Sequence, residues 1–239
     1  MPVITLTSDF GAASPYVAAM KARLLEGCPA ATLVDIAHTV PAFDLRAAGF
    51  LLWAGSRHFA PGAVHLCVVD PGVGGARRAI AFSLAGSFYV GPDNGVFGLL
   101  LRESLPHEPT AVELGRSAGA SPTFEGRDVF APAAAALASG TPLKRVGNAA
   151  AELVRPPAPR PSVLWVDAFG NLVTSMKPPV GGVRVGPTEI RLGARTYSDA
   201  PRGRLFWYVG SMGLVEVGLR EDTAAGLLDA GPGTPVEPL

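Results

Sequence analysis

In Val68-Val69-Asp70-Pro71-Gly72-Val73-Gly74-Gly75-Ala76-Arg77-Arg78 the chain shows most clearly how it folds. This stretch ends an apolar run over residues 63–69, which predicts a buried strand. Pro71 and Gly72 cannot continue a strand, and the glycines that follow let the backbone approach a neighbouring group closely. A carboxylate at the end of a buried strand, followed by a glycine-rich turn and an arginine, is typical of the sheet edge in α/β proteins. A tight turn with a surface ion pair is the alternative interpretation.

On both sides of this stretch, strand-like and helix-like patterns alternate. The predicted strands are 3–7, 32–36 and 63–69, with a hairpin over 79–84 and 87–90. The predicted helices are 15–25, 44–57 and 129–139, and Asp44 is the predicted N-cap of the second helix. This alternation predicts an α/β domain with a largely parallel sheet over residues 1–155.

A different pattern begins after the proline-rich segment 155–161, which predicts a stiff linker and a domain boundary. Beyond it, glycine, proline and aspartate separate short strand-like runs at 163–166, 183–185, 189–192, 205–209 and 214–217. Such spacing is typical of small barrels and sandwiches. Residues 162–239 are therefore predicted to form a smaller, all-β antiparallel domain.

The composition argues against several classes of partner and site. Lys plus Arg and Asp plus Glu each number 20, so there is no basic surplus to bind nucleic acid or an acidic membrane. No apolar run approaches the roughly 20 residues of a membrane span, and the first residues lack the pattern of a signal peptide. The chain has only two cysteines, Cys28 and Cys67, so a disulfide framework is not expected. A cytoplasmic location is therefore predicted. The four histidines lack metal-ligand spacing, so no metal site is predicted.

Three aspartates follow strand-like runs: Asp9, Asp70 and Asp167. Each alone could serve a turn, but together, each near a glycine, they favour a common cavity. Phe43 and Phe169 could offer flat apolar faces, while the acids and Asn171 could bind hydroxyls, an amine or the edge of a base. These residue types predict a nucleoside-like ligand that carries a positive amine.

The same turns do not fit a phosphate site. Neither glycine-rich turn carries the lysine of a P-loop, and the acids would repel a phosphate. The dinucleotide fingerprint also fails, because Arg77 stands where its third glycine belongs. Phosphate binding at these turns is therefore not expected.

Seven short motifs, taken together, point to a known family. They are TSDFG (7–11), VDIAH (34–38), VDPGVG (69–74) with Arg77, GPDNG (91–95), FEGRD (124–128), DAFGN (167–171) and SMG (211–213). In this order they resemble the S-adenosylmethionine hydroxide adenosyltransferase family, relatives of the fluorinating and chlorinating adenosyl-halide synthases. The resemblance covers essentially the whole chain. Each motif alone is weak, and their common order makes the resemblance specific.

The resemblance implies a homotrimer whose active sites lie between neighbouring subunits. It also implies that water or hydroxide attacks C5′ of S-adenosyl-L-methionine, so that methionine departs and adenosine remains, without a cofactor. By motif position, Asp9 would hold the ribose hydroxyls and Phe43 would lie over the nucleoside. The other binding roles would fall to Asp167 for the methionine ammonium, Ser211 for its carboxylate, Asn171 and the backbone near Glu221 for the adenine edge, and Tyr197 for further stacking.

The resemblance also implies the catalytic residues. Hydrolysing members carry an Asp, an Arg seven positions later and a His; Asp70 and Arg77 match the first two, and Glu125 stands in place of the histidine. A fixed guanidinium stabilises a developing anionic oxygen, and a carboxylate can orient water and accept its proton. With two acids beside one arginine, Glu125 is expected to act as the base and to titrate with Asp70 as a coupled pair.

The leading hypothesis is therefore an enzyme that hydrolyses S-adenosylmethionine to adenosine and methionine. The first alternative is a non-catalytic sensor of S-adenosylmethionine or adenosine, because the replacement at Glu125 could mean that the hydroxide chemistry is lost. The second alternative is an adenosyl-halide synthase. Asp70 and Glu125 count against it, because a halide site needs small polar donors without nearby carboxylates.

Overall fold

The computed structural model describes every residue from Met1 to Leu239. Its contacts divide the chain into two units, Met1–Pro156 and Pro157–Leu239, and the division falls within the proline-rich segment. In each unit the buried apolar residues form a core of their own.

The first unit is built on one sheet, with strands β1 (Val3–Ser8), β2 (Thr32–Ala37), β3 (Val64–Val68), β4 (Ala79–Leu84), β5 (Ser87–Pro92), β6 (Thr110–Glu113) and β7 (Asn148–Ala149). Their order is β2-β1-β3-β5-β4-β6-β7. The first four strands in this order are parallel, and the other pairs are antiparallel. The hairpin β4-β5 reverses the chain through Ala85 and Gly86, both at positive φ, as a two-residue hairpin turn favours. The predicted α/β domain is confirmed.

The helices of the first unit are α1 (Pro15–Gly27), α2 (Leu45–Ser56), α3 (Gly98–Glu103) and α4 (Ala131–Ala138). Asp44 caps α2 as predicted, because its side chain accepts hydrogen bonds from the N–H groups of Arg46 and Ala47 at 2.9 and 3.0 Å. The helix predicted over 129–139 corresponds to α4, and a π-helical turn, Gly126–Phe130, directly precedes it. None of the helices is both long and apolar enough to cross a membrane.

The second unit contains β8 (Val163–Val166), β9 (Leu172–Thr174), β10 (Val183–Val185), β11 (Thr188–Ile190), β12 (Leu205–Val209), β13 (Val215–Leu219), β14 (Val236–Pro238) and the helix α5 (Ala224–Leu228). A four-stranded sheet, β12-β13-β9-β8, accompanies a three-stranded one, β11-β10-β14. All of these pairs are antiparallel. Residues of both sheets, such as Leu172 and Val183, belong to one apolar core. The predicted antiparallel β domain is confirmed.

Candidate active site

The parallel pairing of β1 and β3 brings two of the predicted aspartates to one edge of the sheet. Ser8 at the end of β1 is opposite Val68 at the end of β3. Asp9 and Asp70 therefore lie at the carboxyl ends of neighbouring strands, and both line a cavity of about 330 Å³. The carboxyl edge of parallel strands is the usual ligand site of an α/β sheet.

Phe43 lies on a loop that Asp9 holds in place. Its backbone N–H donates a hydrogen bond to Oδ2 of Asp9 at 3.0 Å. Its φ of +66° is in the left-handed region, which costs energy for a residue with a side chain. The ring is 67% exposed and lines the same cavity as Asp9. A flat apolar surface and a carboxylate that can accept hydroxyl hydrogen bonds therefore border one space.

Asp70, Arg77 and Glu125 form a buried ion cluster at this cavity. Nε of Arg77 donates a hydrogen bond to Oδ1 of Asp70 at 2.9 Å, while Nη2 donates to Oδ2 of Asp70 and to Oε2 of Glu125. The side chains are only 6%, 9% and 1% exposed for Asp70, Arg77 and Glu125. Two carboxylates from separate segments therefore converge on one guanidinium.

One nitrogen of the Arg77 guanidinium makes no hydrogen bond within the protein. Burial acts to lower the pKa of Arg77, but the hydrogen bonds and charges of Asp70 and Glu125 raise it above its usual value. The group lies 5.3 Å from the ring centre of Phe130. Its Nη1 atom is buried and has no hydrogen-bond partner in the protein. Because an unpaired buried donor is costly, Nη1 is suited to donate to an oxygen that carries or develops negative charge.

A second arginine joins the cluster, and the sequence pattern did not predict it. Nε of Arg116 donates a hydrogen bond to Oε1 of Glu125 at 2.5 Å, and its Nη2 donates to the backbone carbonyl of Arg77 at 3.1 Å. The structure thus differs from the expected two acids beside one arginine. Two carboxylates meet two guanidiniums, so each of the buried acids has a cationic partner.

In the second unit, Asp167 organises a tight turn between β8 and β9. Its Oδ1 accepts hydrogen bonds from the N–H groups of Phe169 and Asn171, both at 2.9 Å, and its Oδ2 accepts one from Nδ2 of Asn171 at 2.7 Å. Gly170 has a φ of +78°, and a Cβ there would lie 2.1 Å from Oγ1 of Thr223. The turn leaves Phe169 78% exposed, and Asp167, Phe169 and Asn171 all line a cavity of about 860 Å³.

A chain of hydrogen bonds between side chains borders the same cavity. The hydroxyls of Tyr197 and Tyr208 are 3.0 Å apart, and the hydroxyl of Tyr208 donates to Oε2 of Glu216 at 2.6 Å. Burial raises the pKa of Glu216, and the charge of Asp167 adds to that rise although the hydrogen bond from Tyr208 opposes it. A Cβ on Gly210 would lie 1.8 Å from Oε1 of Glu216, so a side chain at this position would have to displace the carboxyl that Tyr208 holds.

The lining of the larger cavity is acidic. It includes Asp167, Glu216, Glu221 and Asp222, together with Ser211, and no lysine or arginine. The negative charge of Glu221 is partly neutralised by Arg202, which lies 3.0 Å from its carboxylate and is not part of the lining. A concave surface lined by one sign of charge attracts the opposite charge. The cavity therefore favours a ligand with a cationic group.

The predicted site residues fall into two groups, one in each unit. The first unit brings together Asp9, Phe43, Asp70, Arg77 and Glu125. The second brings together Asp167, Phe169, Asn171, Tyr197, Ser211 and Glu221. Sequence reasoning missed Arg116, for which no spacing offers a signal, and the pair Tyr208 and Glu216. That pair had a signal, because the strands on either side of a short turn place these two residues opposite each other. No group of three or more His, Cys, Asp or Glu side chains is placed to hold a metal ion.

Comparisons with known proteins agree with one another. The chain matches the models of the SAM hydroxide adenosyltransferase N-terminal domain over residues 4–147 and C-terminal domain over residues 161–237. It is 42% identical to an (R)-S-adenosyl-L-methionine hydrolase of Thermus thermophilus over 99% of both chains. It is 41% identical to one of Salinispora arenicola over 97% of this chain and 95% of the relative. A crystal structure of an uncharacterized conserved protein from Thermotoga maritima has a TM-score of 0.90 and 32% identity, and the match covers 98% of this chain and 99% of that one. Fluorinases are more distant, at 28% identity for the one from Actinoplanes sp. over 76% of this chain and 70% of the relative.

Proposed function

We infer that this chain, which belongs to the SAM hydroxide adenosyltransferase family, hydrolyses S-adenosyl-L-methionine to adenosine and L-methionine. Relatives that are 40–42% identical over nearly their full length are named (R)-S-adenosyl-L-methionine hydrolase. The chain is an enzyme of that class. The observation that carries the inference for its own residues is the buried cluster of Asp70, Arg77 and Glu125 beside a cavity that Asp9 and Phe43 also line.

The reaction suits a site that supplies charge and orientation for a water molecule. The sulfonium of the substrate is already a good leaving group and needs no general acid. The oxygen of water forms a bond to C5′, the C5′–S bond breaks, and its electron pair stays on sulfur as methionine becomes a neutral thioether. In our proposal Arg77 stabilises the oxygen as it becomes anionic, while Glu125 or Asp70 accepts the proton that water loses.

The two groups of residues suit different parts of the substrate. We assign Asp9 to the ribose hydroxyls and Phe43 to the face of the nucleoside. Asp167 is assigned to the methionine ammonium, which the acidic lining of the larger cavity supports. The remaining assignments are Ser211 for the methionine carboxylate, Asn171 and the backbone near Glu221 for the adenine edge, and Phe169 and Tyr197 for stacking.

We further propose that the active form is a homotrimer in which neighbouring subunits complete each site. Sedimentation equilibrium would test this assembly, and a monomer that retains full turnover would contradict it. A cytoplasmic location is also proposed. It is supported by Cys28 and Cys67, which are both free thiols and both buried.

Two other functions lead to different products. A halide synthase would place a halide against C5′, but the carboxylates of Asp70 and Glu125 at the cavity would repel it. A sensor would bind the substrate without consuming it. Of the three, hydrolysis fits a site that combines a buried guanidinium with carboxylates.

The test is to incubate the purified protein with S-adenosyl-L-methionine in ¹⁸O-labelled water and to analyse the products by mass spectrometry. We expect equal amounts of methionine and adenosine, with the label at the 5′ oxygen of adenosine, whether or not chloride or fluoride is added. A 5′-halogenated adenosine would indicate a halide synthase. Binding without any product would indicate a sensor.

We expect Asp167→Asn to weaken binding of S-adenosylmethionine about 10- to 100-fold and binding of adenosine less, because only S-adenosylmethionine carries the ammonium, while the lost acceptor for Nδ2 of Asn171 affects both ligands. The asparagine keeps an oxygen for the turn. Calorimetry in a Glu125→Gln background, in which we expect turnover to be slow, would measure both affinities. Asp199→Asn is the matched control, because Asp199 accepts a hydrogen bond within its own loop at 2.9 Å and does not line the cavity. Equal losses for both ligands would refute the assignment of Asp167.

A further inference from the structure

Arg116 contacts both of the groups that our proposed function places next to the attacking water. Through Nε it donates a hydrogen bond to Oε1 of Glu125, and through Nη2 it donates to the backbone carbonyl of Arg77. It comes from the loop that follows β6, whereas Arg77 lies beyond β3 and Glu125 directly precedes the π-helical turn. One side chain therefore ties together three separate segments of the first unit.

Arg116 does not line the cavity with Asp9, Asp70 and Glu125. Its side chain is 40% exposed, while that of Glu125 is 1% exposed. The guanidinium thus covers the buried carboxylate from the solvent side. Arg116 contacts Glu125 and the backbone of Arg77, so any effect of Arg116 on the reaction would act through these two residues.

The arrangement gives each oxygen of Glu125 its own cation. Oε2 accepts from Arg77 and Oε1 accepts from Arg116. Without Arg116, Glu125 and Asp70 would compete for Arg77 alone, and two carboxylates that share one cation hold a proton more tightly. The charged groups that contact Glu125 are Arg77 and Arg116; Asp70 shares Arg77 with it, and Asp9 lines the same cavity.

We propose that Arg116 is a positioning residue for hydrolysis: it holds Glu125 as an ionised carboxylate against Arg77, in the orientation that receives the proton of the attacking water. This inference rests on the proposed function. It gives the second buried acid of the cluster a cationic partner that it does not share with Asp70. It assigns the second arginine of the cluster a role that the sequence motifs do not contain.

The test is a double-mutant cycle of Arg116→Gln and Glu125→Gln, with kcat and KM measured across pH. Arg116→Gln should lower kcat about 10-fold with little change in KM. It should also move the acidic limb of the kcat profile to higher pH, because the carboxylate that must be ionised loses a cationic neighbour. In the Glu125→Gln background the same change should have no further effect on kcat. Arg116→Lys, which restores the charge, should recover part of the shift.

The matched control is Arg155→Gln. Arg155 is exposed to a similar degree, at 43%, but pairs with Glu108, and neither of these two residues lines the cavity. It should leave the pH profile unchanged. If Arg116→Gln and Glu125→Gln lower kcat independently, or if the acidic limb stays in place, the positioning role is overturned while the hydrolase function stands.

A stability cycle separates this inference from the proposed function. Arg116→Gln should lower the melting temperature of the wild type more than that of the Glu125→Gln variant, and the difference should vanish at acidic pH. If the wild type forms no adenosine, the proposed function fails. The melting temperatures then test whether Arg116 positions Glu125. Coupling between the effects of Arg116→Gln and Glu125→Gln supports that role, and additive effects overturn it.

Discussion

Replacing Glu125 with glutamine should lower the rate of adenosine formation from S-adenosylmethionine by about 10²–10⁴-fold, the usual contribution of a positioned general base. Glutamine keeps the shape and can still accept a hydrogen bond from Arg77 or Arg116, but it cannot take a proton. Single-turnover measurements would show the loss in the chemical step, and calorimetry would show whether substrate binding is retained. If an active wild type loses nothing, Glu125 is a bystander and Asp70 with Arg77 is sufficient.

The variant Glu125→His refines this result. It should keep or raise activity if histidine serves the same purpose at this position. The structure adds a condition, because Arg116 donates to Oε1 of Glu125 and would lose that acceptor. We therefore expect Glu125→His to work better when Arg116→Gln is introduced with it. An inert wild type that gains turnover on Glu125→His would show a binder whose chemistry was lost at this residue.

Replacing Arg77 with glutamine should abolish turnover and strongly destabilise the first unit. The change leaves the carboxylates of Asp70 and Glu125, 6% and 1% exposed, without their shared cation. Breaking a buried ion pair by removing one partner costs about 3–5 kcal/mol. In a chain of this size that corresponds to a fall in melting temperature of roughly 6–20 °C. The penalty should shrink at acidic pH, because protonated carboxyls no longer need the cation.

Arg78→Gln is the control that separates stability from catalysis. Arg78 also pairs with a buried carboxylate, that of Asp93, which unlike Asp70 and Glu125 does not line the cavity. The Arg78→Gln change should lower the melting temperature but leave the turnover of the folded protein close to that of the wild type. Differential scanning calorimetry and product formation below the transition would measure the two effects. Equal losses of turnover in both variants would contradict a direct role for Arg77.

Much of the fold follows from local patterns in the sequence. The apolar runs that end at Ser8 and Val68 are recognisable as strands because their composition and their terminating residues are local properties. Asp44 is recognisable as an N-cap because the cap bonds N–H groups only two and three residues further on. The turn from Asp167 to Asn171 is likewise stabilised by bonds within itself. Structure that depends on neighbours in sequence could be predicted from the sequence.

Predicting the candidate site required, in addition, an assumption about how the strands pair. Asp9 and Asp70 could be predicted to lie close together, because parallel strands bring their carboxyl ends to one edge. The order of the strands could not be predicted in the same way. In the hairpin β4-β5, β4 pairs antiparallel with β5 and lies on the side of β5 that faces away from β3. Which side of β5 is occupied by β4 depends on the pairing of segments that are distant in sequence.

By itself, the sequence determined the two domains, the acids at the strand ends and the set of motifs, because each depends on residue types within a short segment. Only the tertiary structure decided the electrostatics of the cluster. Arg116 reaches Glu125 across a loop, and Glu125 reaches Arg77 from 48 residues away. Whether a buried carboxylate faces one guanidinium or two depends on which loops the sheet brings together. The strength of a charge interaction depends on the distance between the groups in space and not on their separation in the sequence. The contact of Arg116 with Glu125 could therefore be identified only in the folded protein.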